Sequence, residues 1–80
     1  MGLEQVNTIL LEIIEDESVP RNIKDKVGEA VEFLNGGGDF DLLKDSVNEV
    51  LDDVIQDPNL PLHTRTQIWT SVSILESLES

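Results

Sequence analysis

The feature that most constrains this chain is that its two halves carry one helical pattern twice. At an offset of 41 residues, Val6 matches Val47, Asn7 matches Asn48, Leu10 matches Leu51 and Ile14 matches Ile55. Asp16 then matches Asp57, Pro20 matches Pro61, Val31 matches Val72 and Leu34 matches Leu75. Glu12/Asp53, Val19/Leu60, Lys24/Arg65 and Val27/Ile68 are conservative pairs at the same offset, and no gap is needed. Apolar periodicity alone aligns any two amphipathic helices. The Asn, Asp and Pro matches lie outside that periodicity, so they point to an internal repeat.

Each copy reads as helix, turn, helix. In the first, Leu3, Val6, Ile9, Leu10, Ile13 and Ile14 fall on one face of a helix over about Leu3 to Glu15. Asp16-Glu17-Ser18 interrupts it, with Ser18 the expected N-cap of the next helix and Pro20 in its first turn. Val19, Ile23, Val27, Ala30, Val31 and Leu34 point that second helix inward. The other copy runs from Leu42 to Gln56, breaks at Asp57-Pro58-Asn59, and resumes from Leu60 to about Leu78 with Asn59 as the expected cap.

Between the copies stands Asn35-Gly36-Gly37-Gly38, a helix terminator, followed by Asp39 and Asp41, either of which can cap the next helix. No stretch alternates with period two, so no strand is predicted. The expectation is an all-α single domain over residues 1–80, four helices arranged as two antiparallel helix-turn-helix repeats. Repeat 1 covers about 3–35, the glycine linker 36–38 and repeat 2 about 39–78. The alternatives for their assembly are a HEAT-like pair and a four-helix bundle.

Composition narrows function mainly by exclusion. Seventeen acidic and five basic residues give a net charge of −12, which repels phosphate backbones and argues against nucleic acid as a partner. A solvated acidic surface is the ordinary meaning of such a charge, and a basic protein partner the sharper one. There are no cysteines, hence no disulfides or thiolate sites, which suits a cytoplasmic location. No apolar run approaches a membrane span, so no membrane association is expected.

Chemical motifs fail one by one. His63 is the only histidine and has no cysteine or second histidine to share a metal. Asp39-Phe40-Asp41 departs from a calcium loop because Leu42 and Leu43 occupy ligand positions. The triple glycine lacks the following Lys-Ser/Thr of a phosphate loop. Serines 71, 73, 77 and 80 have no histidine at a suggestive position. No cofactor, metal or catalytic residue is expected, and the chain reads as a non-enzyme.

Two surface features remain. Arg21, Lys24, Lys26, His63 and Arg65 cluster near the starts of the second helices. In a side-by-side stack they would line one rim, where an anion or acidic peptide binds. The competing reading pairs them with Asp16, Asp25 and Asp57 as ordinary surface ion pairs. Trp69 and Leu62 fall together off the inward stripe of the last helix, and the position equivalent to Trp69 is Gly28. If that face of each unit points from unit one to unit two, Gly28 permits close helix approach and Trp69 is left at an open end. If it points the other way, Trp69 packs on unit one and Gly28 lies outside. Two hairpins are fewer than a stable stack needs, so a homodimer is expected, with Trp69 and Leu62 the candidate interface.

Two resemblances bear on these readings. Asp16, Val19, Arg21, Ala30 and Leu34 fit the pattern of a HEAT repeat, and the second half resembles it less closely, with Leu62 in place of Arg21 and Ser71 in place of Ala30. HEAT-like proteins scaffold protein contacts, so this likeness implies an interaction module. The segments Ile14-Glu15-Asp16-Glu17-Ser18-Val19-Pro20-Arg21-Asn22-Ile23 and Asp57-Pro58-Asn59-Leu60-Pro61-Leu62-His63-Thr64-Arg65-Thr66 resemble an uncharacterised family of small archaeal proteins. That likeness implies an archaeal, cytoplasmic, four-helix protein and no particular activity.

Overall fold

The computed structural model describes residues 2–78. Four helices follow in chain order: α1 (Gly2–Glu15), α2 (Arg21–Asn35), α3 (Phe40–Ile55) and α4 (Leu62–Ser77). Each begins or ends within two residues of its predicted limit. The caps differ from prediction at two places. Ser18 does not cap α2 and Asn59 does not cap α4; Pro20 and Pro61 occupy those N-cap positions, without a side-chain cap bond. The reason is local competition. Asp16 Oδ1 accepts the Ser18 N–H at 2.9 Å, and Asp57 Oδ1 accepts the Asn59 N–H at 2.8 Å. Each aspartate thereby closes its own turn two residues on, and each proline starts its helix without needing to donate. Asp39 does cap α3, its side chain accepting from the Asp41 N–H. Gly37 and Gly38 have φ of 75° and 93°, a left-handed conformation that lets the chain leave α2 and re-enter α3 in four residues.

The helices close on themselves. α1 lies between α2 and α4, α3 lies between the same two helices, and neither diagonal pair is in contact. This is the four-helix bundle; a layered HEAT stack would set α1 beside α3 and α2 beside α4. The two hairpins bury their apolar faces in each other around Val6, Leu10, Ile13, Ile23, Val27, Val47, Leu51, Val54, Ile68 and Leu75, all without solvent exposure. Exchanging α1 with α3 and α2 with α4 leaves the set of neighbouring helices unchanged.

The local bonding of the two turns recurs at the 41-residue offset. Asp16 donates its N–H to Ile13 O as Asp57 does to Val54 O, and Val19 bonds Asp16 O as Leu60 bonds Asp57 O. Lys24 N–H to Pro20 O recurs as Arg65 N–H to Pro61 O.

The exception to this likeness is α4. Its inward face carries Thr64 and Ser71 where α2 carries Ile23 and Ala30, and its outward face carries Leu62 and Trp69 where α2 carries Arg21 and Gly28. Polar groups have moved in and apolar groups out. Ser71 compensates by donating to Gln67 O at 3.1 Å, whereas the fully buried Thr64 hydroxyl has no partner among the described residues.

Candidate interaction surfaces

Both turns sit at one end of the bundle, and each reaches across to the other hairpin. His63, in the first turn of α4, places Nε2 2.8 Å from Asp16 Oδ2. An ionised carboxylate only accepts, so this nitrogen carries the proton. At the equivalent place Asn22 Nδ2 donates to Asp57 Oδ2 at 3.0 Å. Asn22 and His63 are themselves 41 residues apart, so the two links form a reciprocal clasp between the turns. Lys26 and Asp53 join α2 to α3 at 2.7 Å, and Asn35 donates to Asn7 Oδ1 at 3.2 Å between α2 and α1. The Asp53 hydrogen bond is the main reason the Lys26 ammonium is held above its usual range.

Asp16 is held at a pKa of about 2, against an ordinary 3.8. The largest cause is the Ser18 hydroxyl donating to Oδ1 at 2.7 Å, followed by the His63 bond. A carboxylate with a lowered folded-state pKa contributes stability above its unfolded value, and loses that contribution as pH falls toward the folded value. Asp16→Asn is therefore expected to lower the urea midpoint at pH 6 and to flatten its dependence between pH 4 and pH 2. An acid limb as steep as that of the wild type would contradict this assignment.

The meeting of Asp16, His63 and Ser18 does not amount to a nucleophilic triad. One nitrogen, Nε2, faces both partners, lying 3.3 Å from Ser18 Oγ. A triad needs the carboxylate on one ring nitrogen and the hydroxyl on the other, so that the second accepts the hydroxyl proton. Here the serine proton is directed at the aspartate instead. Among the described residues no three His, Asp or Glu side chains are grouped closely enough to hold a metal ion.

The predicted basic rim is divided. Arg21 and Lys24 stand along a groove of about 580 Å³ between α1 and α2, floored by Ile14, Val19 and Gly28, with Asp25, Glu29 and Glu32 also lining it. His63 is occupied by Asp16. Arg65 lies on α4, diagonal to α2 and out of contact with it. Arg21, Lys24 and Arg65 form no ion pair or side-chain hydrogen bond among the described residues, so the expected pairing with nearby acids occurs at His63 and Lys26 and not at these three.

Neither geometry expected for Gly28 and Trp69 is found. A Cβ placed on Gly28 meets nothing within 4 Å, so no helix approaches there. Trp69 is 52% exposed and Leu62 80% exposed. Closure of the bundle explains both, because it turns the two equivalent positions onto opposite outer flanks. Asp57 was among the acids expected to pair with the bases; its partner is instead Asn22, which sequence reasoning passed over. The signal for this link was present in the offset-41 match of Asp16/Asp57 and in the position of Asn22 opposite His63.

Comparison with known proteins places this molecule. Residues 1–78 match the model of an uncharacterised protein family, UPF0147. The chain belongs to the UPF0147 family. A UPF0147 protein of Archaeoglobus fulgidus is 44% identical over 77 residues, covering 96% of this chain and 88% of that protein. One from Methanothermobacter thermautotrophicus is 43% identical over 92% of this chain and 74% of its own length. The fold matches a crystal structure of an unknown-function protein, MMP1188, with a TM-score of 0.92 at 40% identity, covering 99% of this chain and 91% of that one. A UPF0147 structure from Thermoplasma acidophilum gives 0.90 at 32% identity, with 98% and 93% covered. The family's archaeal relatives and all-helical fold agree with the sequence resemblance. No described helix is long and apolar enough to cross a membrane.

Proposed function

We propose that this UPF0147 protein is a cytoplasmic, non-catalytic interaction module that docks through the outer face of α4, and that it forms a homodimer. The observation that carries this reading is the inversion of α4. Leu62 and Trp69, two turns apart, are exposed on a helix that holds one carboxylate, Glu76, in a chain of net charge −12. Two such chains repel over most of their surfaces, and α4, with one arginine against one glutamate, adds little to that repulsion. Tryptophan is also among the residues enriched at the centre of protein interfaces. The bundle closes without help from a second copy, so the count of repeats no longer argues for a dimer; the surface of α4 does.

Sedimentation of the wild type beside Trp69→Ala tests this reading. At about 1 mM, where even a contact worth roughly 4 kcal/mol is half formed, the wild type is expected to sediment faster than a monomer and Trp69→Ala as one. A monomeric wild type at that concentration overturns the dimer. A variant that associates as well as the wild type overturns the role of α4.

A further inference from the structure

We infer that Trp69 of one copy docks in the Gly28 groove of the next, head to tail, with the two bundles running in opposite directions. The inference rests on the proposed α4 interface and names what that face meets. Trp69 and Gly28 hold equivalent positions on opposite flanks of one bundle, so one flank carries a half-exposed ring and the other an opening where the same side chain is missing. The opening is a surface groove of about 580 Å³ with Ile14 and Val19 at its base and Arg21, Lys24, Asp25, Glu29 and Glu32 along its sides.

Charge selects both the partner and its direction. Counting along the helices from the docking point, Arg21 lies seven residues before Gly28 and Glu32 four after it. On α4, Arg65 lies four residues before Trp69 and Glu76 seven after it. At about 1.5 Å per residue, inverting one helix against the other brings Arg21 beside Glu76 and Glu32 beside Arg65, two opposite-sign pairs at matched heights. Running the helices in the same direction sets Lys24 beside Arg65 instead, a like-charge contact. Arg21 and Arg65 have no ion-pair partner within the described chain, so these cations are free to serve the contact. Such a contact uses different surfaces on its two sides. The homodimer is then the first step of association: a docked pair keeps one open groove and one open tryptophan, and adds further copies as concentration rises.

A complementation experiment decides it. Gly28→Trp fills the groove and leaves the knob, while Trp69→Ala removes the knob and leaves the groove. Each variant alone is expected to sediment as a monomer where the wild type associates, and an equimolar mixture is expected to form a 1:1 heterodimer that does not grow further. If Gly28→Trp associates like the wild type, the groove is not the receptor and α4 meets α4, which overturns this inference while the proposed function stands. Two monomeric variants that stay apart on mixing also overturn it. A monomeric wild type instead removes the interface on which both rest. Should circular dichroism show Gly28→Trp to be unfolded, Arg21→Glu and Glu76→Arg take its place. Each is expected to lose association alone and to recover it when the two are mixed, and no recovery overturns the pairing.

Discussion

Leu51→Ala is expected to destabilise the bundle by about 2–5 kcal/mol, the range for deleting a fully buried leucine and leaving part of the cavity unfilled. Leu51 lies one turn from the C-terminal end of α3, has no solvent exposure and belongs to the core that both hairpins share. A domain of this size has roughly 4–12 kcal/mol to lose at about 0.05–0.15 kcal/mol per residue, so one methyl-rich side chain accounts for a large share. Urea denaturation reads the effect as a lower midpoint with an unchanged slope. Leu42→Ala supplies the contrast. Leu42 is the same residue type on the same helix but largely exposed, and its truncation is expected to stay within about 0.5 kcal/mol. Equal losses at the two positions would mean that the faces of α3 have been assigned wrongly.

The second large effect has the opposite sign. Thr64→Val is expected to stabilise the protein by about 1–3 kcal/mol, the desolvation cost of a buried hydroxyl that finds no partner. Thr64 is fully buried at the place where the first half carries Ile23, and its Oγ1 is unbonded among the described residues. Valine keeps the branched shape and removes only the polar atom. For a domain this small each kcal/mol moves the melting temperature by about 4–8 °C, so calorimetry resolves the change easily. An unchanged or lower melting temperature would show that the hydroxyl is satisfied in solution. Ser71 makes a useful companion, since it donates to the Gln67 carbonyl one turn back, and valine there gains less.

The helices and the core were legible because they rest on short-range rules. Residues such as Val6, Leu10 and Ile13 recur at helical spacing, and Asn35 with three glycines can end α2 in only a few ways. The caps of α2 and α4 were misread for a reason equally local. Ser18 and Asn59 stand two residues after an aspartate whose carboxylate accepts their N–H groups and holds them in the turn, so the helices start later, after Pro20 and Pro61. The clasp could not be read in the same way. It requires α4 to lie beside α1, so that His63 meets Asp16 across 47 residues of chain, and helical periodicity carries no information about which helices become neighbours. The same missing information explains Trp69. Its position off the inward stripe was visible, while the two expected outcomes both assumed a stack, and the closed bundle realises neither.

What distinguishes the halves therefore bears most on function. Where they agree, at the apolar stripes, the aspartates and the prolines, they build and fasten the bundle. Where they differ, at Arg21/Leu62, Gly28/Trp69, Ile23/Thr64 and Ala30/Ser71, α4 gives up core hydrophobicity and places it on the surface. A helix whose only task was to complete the bundle gains nothing from that exchange.

Trp69 is the sole tryptophan, so its fluorescence reports directly on whether this surface is covered. Emission recorded while the wild type is diluted is expected to move to longer wavelength over the range in which sedimentation shows dissociation, as water replaces the partner around the ring. Long-wavelength emission that stays constant at every concentration would contradict the assignment of α4 as the docking face.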